Sequence, residues 1–210
     1  MTDIIIVHSK HGNSKNHWYE WLRHNLTLEG YDVSLFNLEA NDHAQIDEWV
    51  NEMKQQLHIR KKDTYFVTHG FGSIAALKFL EETHHHIEGF FSIAGFKEDA
   101  QDIDEDVDLK GVTIDYDKIK EQVDKFYGLT SKDDQYVSYK ETQRLMNSLN
   151  GHTRVVEDGG HFLEEEGFVT FTSLINRMQG YMTVGCLHIY PSLYFQTLNI
   201  IDNNSYHLVI

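Results

Sequence analysis

The sequence predicts an α/β fold: a three-layer sandwich of about six mostly parallel strands, Rossmann-like, with helices on both faces. Three observations carry this. Short apolar runs alternate with stretches of helical spacing along residues 3–182 without a long break. The runs are apolar throughout rather than at every second residue, as expected of parallel strands buried on both faces. The third is local. Asp63–Leu80, DTYFVTHGFGSIAALKFL, reads as a buried strand, a sharp turn with glycines at 70 and 72, and a helix packing Ile74, Leu77 and Leu80 on one side.

The elements follow in order. Residues 3–9, DIIIVHS, form the first strand, and the loop KHGNSKN leads into a helix from Asn16 to Glu29 with Trp18, Trp21, Leu22 and Leu26 on one stripe. Gly30 stops that helix. YDVSLFNL, 31–38, is a second strand. Asp42 caps a helix carrying Ile46, Trp49, Val50, Met53 and Leu57. The central strand–turn–helix follows and ends at His84-His85-His86, which suits the partial negative charge of a helix C-terminus better than a metal. Gly89–Phe96 is another strand. Lys97–Lys110 is acidic without a sustained apolar pattern, so a mobile, solvated excursion is expected; it lacks the glycine and ligand spacing of a calcium loop. Residues 115–125 are helical, Phe126–Thr130 a strand, Ser138–Leu149 a helix, Thr153–Val156 a strand and Glu164–Met182 a helix. The tryptophans belong to the core.

Residues 1–182 thus make one domain. Residues 183–210 differ in composition: they hold no Lys or Arg, one acid (Asp202), and the chain's only Pro and only Cys. They read as an atypical extension, whether a β-rich element, a vector-derived tail or a shifted reading frame. A net charge of −15 argues against nucleic-acid or acidic-membrane surfaces, which need basic patches. One Cys allows no internal disulfide, the N-terminus lacks a signal-peptide pattern, and no apolar run is long enough to span a membrane, so a cytoplasmic protein is expected. No cofactor or metal is implied.

Three loops fall at the C-terminal ends of predicted strands, where open parallel sheets place their sites. Thr68-His69-Gly70-Phe71-Gly72 has the layout of a nucleophile elbow, a strained turn presenting one side chain above the sheet, but the nucleophile position holds glycine. Ser131–Val137, SKDDQYV, offers a carboxylate after the next-to-last strand. Asp158–Phe162, DGGHF, brings an imidazole over the sheet on two glycines. Nucleophile, acid, histidine is the chain order of α/β-hydrolases.

These residues resemble the small α/β-hydrolases of the retinoblastoma-binding protein 9 type and their bacterial relatives. The resemblance runs from Ile4 to Tyr181 and rests on Asn16-His17-Trp18 with Trp21-Leu22, on TYFVTHGFG, on SKDDQYV and on GGHFLEEEGF. It implies Asp134 as triad acid, His161 as triad base and Gly70 where the family carries its Ser. It also implies an oxyanion hole from the amides of Phe71 and Ser9, although bacterial members have His-Gly where this chain has His8-Ser9. Ser138 stands where a proline is usual.

Glycine at 70 relieves strain and removes the hydroxyl, so efficient hydrolysis is not expected. Ser73, one helical turn on, points off the turn; His69 is expected to pack; a water activated by His161 would react slowly. Two functions stay open. One is a serine-hydrolase-family protein acting on small carboxylic esters or amides where activity remains. The other is a pseudoenzyme that binds a ligand or a protein partner. Gly70 itself is either native or introduced.

Overall fold

Six strands, β1 (Asp3–Val7), β2 (Asp32–Phe36), β3 (Thr64–His69), β4 (Ile87–Ile93), β5 (Val123–Ser131) and β6 (His152–Val156), form one sheet in the order β2-β1-β3-β4-β5-β6. Every neighbouring pair is parallel. In this computed structural model residues 2–38, 45–57, 59, 63–103, 107 and 109–183 are described. The chain divides into two compact units, Met1–Thr170 and Phe171–Ile210. The expected extension therefore lies, beyond Thr183, outside the described residues, as does the expected cap Asp42.

The register explains why the strands are apolar throughout. Ile5, Phe66, Phe90 and Phe126 sit side by side across β1, β3, β4 and β5, and alternation along each strand turns Ile6, Val67, Phe91 and Tyr127 to the opposite face. The first set joins one core cluster with Trp49 and Met53 of α2 (Ile46–Gln56), Ile74 and Leu77 of α3 (Phe71–Thr83), Ile119 of α4 (Tyr116–Gln122) and Leu145 of α5 (Tyr139–Ser148). Each large side chain so buried contributes about 1.5–3 kcal/mol. Tyr19, Leu22 and Leu26 of α1 (Tyr19–Leu28) are buried outside that cluster. The fold is a three-layer α/β sandwich. Among the described residues no helix is long and apolar enough to cross a membrane.

Several boundaries differ from the sequence reading, each for a local reason. Helix α1 begins at Tyr19 rather than Asn16 because His17 takes a positive φ of 55°. Strand β4 stops at Ile93, where Ala94 turns with φ 48°. Residues 123–125 belong to β5, not to the preceding helix. The expected helix 164–182 is broken: Glu164–Glu166 form a single 3-10 turn, Gly167 follows at φ 93°, and α6 runs Thr172–Thr183. The acidic stretch after β4 is not a solvated excursion where it is described. Ala100, Ile103, Val107 and Leu109 pack against the core, Ile103 bridges to Val137, and Arg144 pairs with Asp99; residues 104–106 and 108 lie outside the described set.

Strand β1 has β2 on one side and β3 on the other. The chain thus reverses its direction of travel across the sheet between β1 and β3. Open α/β sheets bind ligands at such a switch point.

Candidate active site

Gly70 is the single residue between β3 and α3, at φ 50° and ψ −124°. An L-residue adopts this region only under strain; glycine enters it freely. The turn is pinned by the Gly70 N–H donating to Ile93 O at 2.9 Å and the Ser73 N–H to Gly70 O at 3.0 Å. Gly72 is required for another reason: a Cβ there would meet His8 O at 2.4 Å, so only glycine lets the first turn of α3 rest on the end of β1. The Phe71 amide opens α3, ahead of the first intrahelical acceptor.

After β5 the two aspartates divide their work. Asp134 Oδ1 accepts the Tyr136 and Val137 N–H groups at 2.8 and 2.9 Å, closing a local turn. Its Oδ2 lies 2.9 Å from His161 Nδ1, and both side chains are 0% exposed. Asp133 accepts from the Ser131 hydroxyl and from the Gly159 and Gly160 N–H groups, the latter two at 2.9 and 2.8 Å. These bonds, the Ser131 hydroxyl foremost, hold the Asp133 carboxyl below the usual carboxylate range. One aspartate therefore orients the histidine while its neighbour fixes the loop that carries it.

That loop is further held by Glu166, whose Oε1 and Oε2 accept the His161 and Leu163 N–H groups at 3.0 and 2.9 Å. Gly160 has φ 52°, and a Cβ on it would fall 2.0 Å from Glu166 Oε1. With Nδ1 facing a carboxylate, the ring is the Nδ1–H tautomer, and its proton chemistry falls to Nε2. The imidazole stacks on His69 at 4.8 Å between ring centroids and meets His11 and Tyr136 edge-on at 5.4 and 5.3 Å. Asp134 and His161 are thus brought together, beside the residue that precedes Gly70.

Ser9 is placed differently from the sequence expectation. Its N–H donates to Tyr19 Oη at 3.0 Å and its hydroxyl accepts the His11 N–H at 3.2 Å. In this structure that N–H is taken by Tyr19. Ser73 is fully buried, within 2.9 Å of both the Thr68 and the Ser92 hydroxyls. It is a structural serine beneath the turn.

Sequence reasoning missed Tyr19, Asp133 and Glu166, and assigned His69 only to packing. It also missed a clasp across the sheet: the His17 N–H donates to Glu164 Oε2 and the Glu164 N–H donates to His17 Nδ1, each at 2.9 Å. Burial holds His8, His17 and His69 below the ordinary histidine value, His69 well below it.

Comparison with known proteins shows the family and the fold. YdeN of Bacillus subtilis strain 168 is 26% identical over 182 residues, 86% of this chain and 96% of that protein. The serine hydrolase RBBP9 of Rattus norvegicus is 25% identical over 183 residues, 86% and 95% of the two chains. The crystal structure of the B. subtilis ydeN gene product superposes with a TM-score of 0.79, covering 87% of this chain and all of that one (100%). Est1E from Butyrivibrio proteoclasticus, 12% identical, shares the fold at a TM-score of 0.64, covering 87% of this chain and 88% of its own. The family described as Serine hydrolase matches residues 4–179, and the chain belongs to the serine hydrolase family.

Proposed function

We propose that this protein keeps the acid and base of an acyl-transfer site for small carboxylic esters or amides, and that with Gly70 at the nucleophile position it does not hydrolyse them efficiently. The observation that carries the reading is the buried Asp134–His161 pair at 2.9 Å beside a turn that presents no side chain at Gly70. In this reading a hydroxyl at residue 70 would give its proton to His161 Nε2, while Asp134 keeps the imidazole in the correct tautomer and stabilises the imidazolium. Phe71 N–H is the oxyanion donor at the start of α3. Ser9 is not retained as the second donor, because its amide is bound to Tyr19. Without the hydroxyl no acyl-enzyme forms by this route. Loss of a triad member costs about 10⁴–10⁶ in rate and leaves roughly 10³-fold catalysis over water.

Gly70→Ser tests the reading. The variant is expected to turn over p-nitrophenyl acetate and to label with a fluorophosphonate probe, and the Gly70 chain to do neither efficiently. A folded variant that gains neither activity overturns the reading.

A second reading, a pseudoenzyme that binds a ligand or a protein partner, is favoured by one further observation: the Ser9 amide is turned to Tyr19 as well as the hydroxyl being absent. Titration with short carboxylates then shifts the His161 imidazole resonances of the native chain. Resonances unmoved at millimolar carboxylate would exclude that class of ligand.

A further inference from the structure

His69 was expected only to fill space, yet both of its ring nitrogens are engaged and the directions can be worked out. The Ser9 N–H donates to Tyr19 Oη at 3.0 Å, and Tyr19 Oη lies 2.6 Å from His69 Nδ1. At its other end His69 Nε2 lies 2.7 Å from the main-chain oxygen of His161. A carbonyl oxygen only accepts, so Nε2 must carry the hydrogen. In the neutral ring Nδ1 is then an acceptor, which makes the Tyr19 hydroxyl the donor. The chain of bonds has one polarity throughout: Ser9 N–H to Tyr19 O–H to His69 Nδ1, and His69 Nε2–H to His161 O.

The same ring is stacked on the His161 imidazole, at 4.8 Å and an interplanar angle of 28°. His69 is completely buried and is the last residue of β3, so it is held as rigidly as the sheet. The ring-facing neighbours are His17 at 6.1 Å, Trp18 at 5.6 Å, Tyr19 and His161. No carboxylate faces it among these, so a proton on His69 would lack a counter-charge. Burial and the neighbouring histidines act in the same direction.

We infer that Tyr19 and His69 are positioning residues for His161: the His161 carbonyl sets His69 as the neutral Nε2–H tautomer, Tyr19 donates to the Nδ1 left as acceptor and so anchors the ring, and His69 holds the His161 backbone and ring in register with the turn at residue 70. The inference rests on the reading of His161 as a catalytic base. Two consequences follow for that base. His161 must become an imidazolium during proton transfer, and a neutral His69 stacked against it does not oppose that charge. A His69 with its tautomer reversed would point a lone pair at the His161 carbonyl and push the loop away. The same Tyr19 hydroxyl takes up the Ser9 amide, so one side chain ties the loop after β1, the end of β3 and the histidine loop together.

Two measurements test this, one of which does not depend on hydrolysis. In the Gly70 chain, imidazole nitrogen NMR is expected to show His69 as a single neutral Nε2–H tautomer at pH values on both sides of the ordinary histidine value. Tyr19→Phe should keep that tautomer but strip Nδ1 of its donor, moving the His69 Nδ1 resonance and, through the loosened ring, the His161 Nδ1–H signal. An Nδ1–H tautomer in the Gly70 chain, or both rings unchanged in Tyr19→Phe, overturns the inference whatever Gly70→Ser does. In the Gly70→Ser background, Tyr19→Phe and His69→Leu should each lower kcat on p-nitrophenyl acetate about tenfold or more with KM unchanged, the size of loss seen when hydrogen-bond partners behind metal-bound histidines are removed. His69→Gln, whose amide can accept from Tyr19 and donate to His161 O, should retain more of the rate than His69→Leu. Equal losses in Gln and Leu would mean that packing alone is at work and would overturn the inference. No turnover in Gly70→Ser itself would count against the base, not against the tautomer.

Discussion

Placing a side chain at residue 70 should have two opposite effects, and both can be sized from the turn. At φ 50° and ψ −124° any L-residue is strained, by about 1–3 kcal/mol. For a domain of this length each kcal/mol shifts Tm by about 2–4 °C, so Gly70→Ala and Gly70→Ser should both melt roughly 2–12 °C below the native chain. That is the reverse of an ordinary Gly→Ala change at a compatible position, which stabilises by about 0.4–1 kcal/mol. Activity should separate the pair. Serine supplies a hydroxyl to the Asp134–His161 couple and alanine does not, so Ser should exceed Ala on p-nitrophenyl acetate by about 10⁴-fold or more. The assay is calorimetry with initial-rate kinetics on the same three preparations. If alanine leaves Tm unchanged or raises it, residue 70 is not in the strained conformation. If Ser and Ala turn over substrate equally, His161 is not poised to take a proton there.

Other outcomes follow from the same geometry. In Gly70→Ser, Asp134→Asn should keep the fold and lower kcat about 10⁴-fold, because the amide no longer selects the Nδ1–H tautomer; a loss under tenfold would refute that role. Ser73→Ala should cost about 1–3 kcal/mol in chemical denaturation by breaking a buried hydroxyl chain, with the turnover of Gly70→Ser unchanged, and a lost turnover in the folded variant would contradict a purely structural role for Ser73. Gly160→Ala should destabilise by more than about 1 kcal/mol, since its Cβ displaces Glu166 at a positive φ. Burial holds His8, His17 and His69 below the ordinary value of 6.5. The unfolded chain therefore takes up protons near that pH while the folded one does not. Stability is full above it and falls as the pH drops below it, so Tm should decline from pH 7 towards 5. A flat Tm over that range would contradict the buried neutral state of these rings.

The fold was legible because its signals are local. Apolar runs such as Ile4–Val7 and Tyr65–Val67 could be nothing but doubly covered strands, and Gly70 with Gly72 marked the one sharp hand-over from strand to helix. A carboxylate loop at 131–137 and His161 could be placed because each follows a strand at a known end of the sheet; the choice of Asp134 within that loop came from the family resemblance. What stayed hidden was of two kinds. Partnerships across the chain, such as Tyr19 with His69 or His17 with Glu164, leave no trace in spacing, since neither member is remarkable alone. Roles that turn on direction were equally invisible: whether the Ser9 amide faces the turn or a phenol is a matter of one torsion, and Asp133 and Asp134 differ only in which way each carboxylate points. The apolar residues of the acidic stretch, Ala100, Ile103 and Val107, were masked by the charges between them.

The clasp between His17 and Glu164 joins residues 147 positions apart. Closing so long a loop is entropically unfavourable until the intervening strands have already brought the ends together. The bonds that gather the site therefore form after the sheet, not with it. Weakening them should leave the speed of folding almost untouched and hasten unfolding instead. The region that would do chemistry is in that sense the last to assemble and the first to open.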